Sequence, residues 1–188
     1  ANKFGIQQGF KYIDVANVPN LDLQLEYNMV MPYTYSHNAK VDENGNDLQI
    51  SNFTHYNQAL THPLGSNFTE VVAMINYQPV QLPNLNLSVK YTNAVVGKDS
   101  IKLDGTSTNY GGDIFANGTP VTVENEFGNY LRQGNAHRIN NLDFNATYQF
   151  WHNMYGVVKA GFRNLNSDVD AEDSNSAWFS VGIRINAS

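Results

Sequence analysis

The sequence predicts an all-β fold, an antiparallel up-and-down transmembrane β-barrel built from about seven long strands. Three observations carry the prediction. Apolar and polar residues alternate with period two over long segments, tight turns alternate with long polar loops, and charged strand residues fall on the polar face. No window repeats apolar residues at helical spacing, so nothing longer than a turn of helix is expected.

The first strand is expected from Phe4 to Tyr12, with its apolar residues on even positions. The second is the clearest: Leu21, Leu23, Leu25, Tyr27, Met29, Met31, Tyr33 and Tyr35 alternate with mostly polar residues over 21–35. A third runs from Val71 to Tyr77 on odd positions, and a fourth carries Leu85, Leu87, Val89 and Tyr91. The fifth carries Leu142, Phe144, Ala146, Tyr148 and Phe150; the last two run from Met154 to Phe162 and from Ala177 to Ile185. Tight turns are expected at Asn17-Val18-Pro19-Asn20, at Leu82-Pro83-Asn84 and around His152-Asn153, where turn-forming residues cluster. Long loops rich in Asn, Gly, Ser and Asp are expected at about 36–66, 97–137 and 164–176. On a meander, all tight turns then lie at one end and all long loops at the other, the asymmetry of an outer-membrane barrel.

Alternation alone also fits a soluble β-sandwich, which stays open as an alternative. Strand lengths of about 9 to 15 residues favour the bilayer, because a tilted crossing takes about 9–11 residues and soluble strands average about 5–6. The charges Lys11, Asp22, Glu26, Lys90, Asp143, Lys159 and Arg184 are expected to face a lumen, since a charge against lipid costs about 2–4 kcal/mol at the midplane. Their signs nearly balance, so strong ion selectivity is not expected. Aromatic residues collect near strand ends, Phe10, Tyr12, Tyr77, Phe150 and Tyr155 at the turn side and Tyr33, Tyr35, Tyr91, Phe162 and Trp178 at the loop side, as two interfacial girdles would. Bacterial single-chain barrels normally have an even strand number. Seven strands ending on the turn side therefore suggest the C-terminal part of a larger barrel, with at least one strand before Ala1.

Composition narrows the chemistry. The 188 residues carry 11 Lys+Arg against 17 Asp+Glu, a net charge of −6, which argues against a nucleic-acid partner. There is no cysteine, hence no thiolate nucleophile or Cys-ligated metal. The longest apolar run, Val71-Val72-Ala73-Met74-Ile75, is far short of a membrane-spanning helix. No Gly-x-Ser-x-Gly elbow occurs, and the spacing of His37, His55, His62, His137 and His152 requires neither a catalytic triad nor a metal site, so the expectation is a protein that is not an enzyme and holds no cofactor. The acidic segments 42–47 and 168–173 read first as solvated loop tips. They also offer oxygen ligands to a divalent cation that bridges to lipopolysaccharide phosphates.

The segment from Phe53 to Glu70, containing His55-Tyr56-Asn57-Gln58 and His62-Pro63-Leu64-Gly65-Ser66-Asn67 and preceded by Tyr35-Ser36-His37, resembles a loop-to-strand block of Bacteroidota outer-membrane proteins. The relatives are the Wzi-type capsule-assembly family and the RemB-like gliding-motility barrels. The resemblance covers about 35 residues and implies a bacterial outer-membrane barrel that attaches or assembles surface polysaccharide, or serves in a motility or secretion complex of the envelope. It also singles out His55, Tyr56, Asn57, His62, Pro63 and Gly65. They either line a ligand site or fold their loop inward toward the lumen. The expected partners are outer-membrane lipid and lipopolysaccharide, surface polysaccharide and other envelope proteins. A porin-like diffusion channel and a secreted sandwich that binds a ligand are the competing functions.

Overall fold

The computed structural model describes residues 2–36, 40–41, 47–49, 53–56, 58–101, 107–114 and 127–186. Seven long strands form one antiparallel sheet in chain order: β1 (Gly5–Tyr12), β2 (Leu21–Val30), β3 (Phe68–Tyr77), β4 (Leu85–Lys98), β5 (Asn135–Trp151), β6 (Met154–Ser167) and β7 (Ser174–Ile185). All seven predicted strands are present, and each pairs with its sequence neighbour, as an up-and-down meander requires. The sheet is open, with β1 and β7 as its edges. Three small two-stranded ladders lie within the two longest connections.

Register fixes the faces. Across one row of partners run Phe10, Leu25, Ala73, Tyr91, Leu142, Phe162 and Ala177; across the next run Lys11, Gln24, Met74, Lys90, Asp143, Gly161 and Trp178. Successive residues of a strand point to opposite sides, so the first row belongs to an apolar face, termed outer, and the second to a polar face, termed inner. Every strand keeps large apolar side chains exposed on the outer face, from Phe10 at 58% to Ile183 at 71%, with others such as Leu23, Val89 and Val158 half-buried between them. Buried apolar side chains gather instead on the inner face at the loop end, where Val30, Phe68 and Val96 stand in one register row under Tyr35, Leu64 and Ile139.

Several boundaries differ from expectation for identifiable reasons. Strand β2 ends at Val30 rather than Tyr35, because Pro32 has no N–H for the ladder and Tyr33 turns the chain with a φ of 61°. Tyr33 is consequently buried under the loops instead of standing in an interfacial girdle. Tyr155 and Trp178 also leave the girdle, since register places both on the inner face. Strands β4, β5 and β6 run on through 93–98, 135–141 and 163–167; in the last two segments pairing with neighbours overrides a polar local sequence. The connection 168–173 thereby shrinks to six residues, fewer than the eight of the turn 13–20, so the loop asymmetry rests on the first two loops. The extension of β5 also puts one charge, Arg138, on the outer face at its loop-side end, paired with Asp168 at 2.8 Å.

Candidate functional site

The loop end is tied together by side chains that bond to backbone of distant segments. Asn67 is fully buried with a φ of 60°, a left-handed conformation that asparagine tolerates. Its amide nitrogen donates to the carbonyls of Gly97 (3.0 Å) and Gln133 (2.8 Å), and its oxygen accepts from the Gln133 N–H (3.2 Å). Ser66 donates to the Gly111 carbonyl at 2.5 Å, the Tyr33 hydroxyl to the Asn109 carbonyl at 2.5 Å, and the Gln133 amide to the Tyr110 carbonyl at 2.9 Å. These bonds satisfy buried polar groups that would otherwise cost about 1–3 kcal/mol each. Segments 31–36, 61–67, 108–114 and 129–134 thus form one cap over the inner face.

A cleft of about 640 Å³ opens beside this cap, within the size range of small-ligand pockets. His62 and His137 line it, with Asp99 and Glu172. The His62 ring stacks on Phe68 at 4.5 Å; its Nδ1 accepts from the Leu64 N–H at 3.2 Å and its Nε2 lies 3.2 Å from Glu70 Oε2. Both nitrogens are therefore engaged in folding the loop onto β3. Glu70 in turn accepts from Asn28 at 2.9 Å. His137 Nε2 stands 2.8 Å from Glu172 Oε2, an ion-pair distance reached outside good hydrogen-bond alignment. The Ser167 hydroxyl donates to Glu172 at 2.9 Å and, with the His137 ring, holds its carboxyl below the ordinary glutamate range. Burial pushes the Asp99 carboxyl above its usual range, and the charge of Asp113 adds to this, while the Tyr110 N–H, donating at 2.7 Å, opposes it.

Of the residues singled out in sequence, His62, Pro63 and Gly65 lie at the cleft, Gly65 with a φ of 77°. His55 and Tyr56 do not: they touch each other edge to face at 4.4 Å, and Tyr56 is 90% exposed. Asn57 lies outside the described residues, as do 42–46 of the first acidic segment. In the second acidic segment Asp168 accepts from Arg138 and from the Ala136 N–H, and Asp173 from the Ser167 N–H, so these two carboxylates serve the fold. Among the described residues no group of three His, Asp or Glu is arranged to hold a metal ion.

All seven predicted lumen charges share the inner face, joined by Glu70 and Arg163, which the sequence reading passed over because they fall just beyond the clearest alternation. Lys11 pairs with Asp22 at 3.5 Å, Lys90 stands opposite Asp143 in register, and the Arg184 guanidinium lies 4.4 Å over the Tyr155 ring. The balance of signs is not a mixture. The inner residues of β1–β3 include Asp22, Glu26 and Glu70 against Lys11, whereas those of β6 and β7 carry Lys159, Arg163 and Arg184 with no acid. Searched against family models, curated proteins and solved structures, the chain matches none.

Proposed function

We propose that this chain forms part of the wall of a bacterial outer-membrane β-barrel that handles surface polysaccharide without chemical turnover. The observation that carries the reading is the division of the sheet: a belt of exposed apolar side chains across seven strands on one face, and charges on the other. Such a belt is far larger than the apolar patches of ordinary soluble surfaces and matches a lipid-facing surface. The hydrogen-bonded cap and its cleft lie at the end that would face outward, where extracellular loops of such barrels meet ligands. The resemblance of the 53–70 segment to capsule-assembly barrels supports the same assignment.

The test compares Phe144→Arg, on the outer face, with Ser88→Arg, on the inner face, in the full chain folded into phosphatidylcholine vesicles. Phe144→Arg is expected to lose about 2–4 kcal/mol of folding free energy, read from urea midpoints, and Ser88→Arg under about 1 kcal/mol. Equal losses, or a chain that folds fully in buffer without lipid, would overturn the membrane assignment. Vesicles carrying the folded chain are expected to retain surface polysaccharide purified from the source envelope and to release no shortened product; failure to retain it counts against the polysaccharide role alone.

A further inference from the structure

Trp178 is the one large aromatic side chain that β7 presents to the inner face; its inner neighbours are Ser174, Ser176, Ser180, Gly182 and Arg184. Its indole lies across Gly161, the register partner on β6. A β-carbon at position 161 would run into Nε1 and Cε2 of the ring and stand 2.8 Å from Cζ2, so this close approach requires glycine. With one ring face against the backbone, Trp178 remains 48% exposed. Gly161 is flanked on the same face of β6 by Lys159 and Arg163, each about 7 Å along the strand. Both are exposed, and neither has an ion pair or side-chain hydrogen bond among the described residues. Ser180 and Ser176 stand opposite them, and Asp143 faces Gly161 from β5.

We propose that this part of the inner face binds an acidic glycan, a chain of pyranose rings bearing carboxylates, with Trp178 as the stacking platform and Lys159 and Arg163 as the carboxylate contacts. The inference rests on the polysaccharide reading above and gives it a ligand class. A flat indole with one free face complements the C–H face of a pyranose. Two cations about 13 Å apart along β6 reach substituents on either side of a ring stacked between them. Serine hydroxyls meet ring hydroxyls without crowding. The free cations Lys159 and Arg163 on β6, with Arg184 on β7, outnumber Asp143, the one inner-face acid beside them, while the other inner-face acids stand on β2 and β3; this excess selects an anionic chain and draws it to this side of the wall.

Trp178 fluorescence reports on this directly once Trp151, the other tryptophan, is replaced by Phe. In the Trp151→Phe chain folded in vesicles, trigalacturonate is expected to shift and quench the emission in a saturable way, and maltotriose to bind at least tenfold more weakly. Lys159→Met and Arg163→Met are each expected to weaken trigalacturonate at least fivefold, while the fold, followed by gel mobility with and without heating, stays intact. In the Trp178→Ala chain, calorimetric binding is expected to fall at least tenfold. Equal affinity for maltotriose would overturn the charge selection, and equal affinity for a trimer of glutamate would overturn the sugar. Absence of trigalacturonate binding in a chain that still retains native polysaccharide would overturn this site while leaving the broader reading in place.

Discussion

The two ends of the sheet are stabilised in opposite ways. At the turn end the bonds lie in the open, whether within a connection, as where the Asn20 N–H donates to Asp14 Oδ1 at 2.7 Å and the Val18 N–H to the Val15 carbonyl at 3.0 Å, or between connections, as where the Asn20 amide donates to the Gln78 carbonyl at 3.2 Å. At the loop end, partners lie far apart in sequence and many are buried: Asn67 bonds to residue 133, Tyr33 to residue 109, Ser66 to residue 111. Exposed turns tolerate change because water replaces a partner that is lost. The cap does not, because each of its buried amides and hydroxyls serves several segments, and removing one leaves partners with no water to replace it.

The largest expected effect is at Asn67. Asn67→Ala strands the Gln133 N–H and two carbonyls and should cost about 3 kcal/mol in urea midpoints of the vesicle-folded chain. Asn20→Gly, at a turn-end residue with a φ of 60°, should stay within about 0.5 kcal/mol, since glycine adopts that conformation freely and the bond it loses, from the Asn20 amide to the Gln78 carbonyl, is exposed to water. Similar costs for the two would erase the contrast between the ends. Gly111→Ala comes next, at about 2 kcal/mol, because Gly111 has a φ of 81° and a β-carbon there would stand 2.6 Å from the Tyr33 nitrogen.

A smaller effect sharpens the picture of the cleft through pH. The Asp99 carboxyl is raised from its ordinary value of 3.8, so the folded state holds its proton longer than the unfolded chain. Stability contributed here therefore falls as pH rises from the ordinary aspartate value through the raised one. In Asp99→Asn the change in urea midpoint between pH 4 and pH 7 should shrink, and an unchanged profile would remove Asp99 from the account. The smallest effect is at the exposed Arg138–Asp168 pair. Arg138→Ala should change stability by under about 0.5 kcal/mol at neutral pH. Asp168 is held low by Arg138 and by the Ala136 N–H, so whatever the pair contributes disappears only as pH falls below the ordinary value of 3.8.

These contrasts also explain what sequence could convey. Strand existence and face were legible because alternation is local: Leu85 to Tyr91 or Leu142 to Phe150 declare their outer side without reference to anything else. The cap was not legible. Asn67, Gln133, Asn109 and Ser66 look like ordinary loop residues, and only contacts across 45 or more positions turn them into an interior. The strand extension at 135–141 was missed for the same reason, since Asn140 and Asn141 carry no apolar alternation and are held by their neighbours, and at 93–98 the run Ala94-Val95-Val96 breaks the period of two. The separation of acids from bases was within reach. Once the meander order is accepted, assigning each charge to its strand places Lys159 and Arg184 at one edge and Asp22 and Glu26 toward the other.

The register row from Lys11 to Trp178 has a geometric consequence. It follows the hydrogen bonds, and so runs perpendicular to the strands. On β1 it passes one residue from the turn-side end, Tyr12; on β7 it passes seven residues from the turn-side end, Ile185. The margin of the sheet thus slips by six residues over six strand-to-strand steps, about 20 Å of rise against about 29 Å of width. That slope is about 35°, within the range at which strands incline to the axis of a closed barrel. A sheet sheared this way cannot lie with its strands upright between two parallel planes: with its turns level, its strands lean.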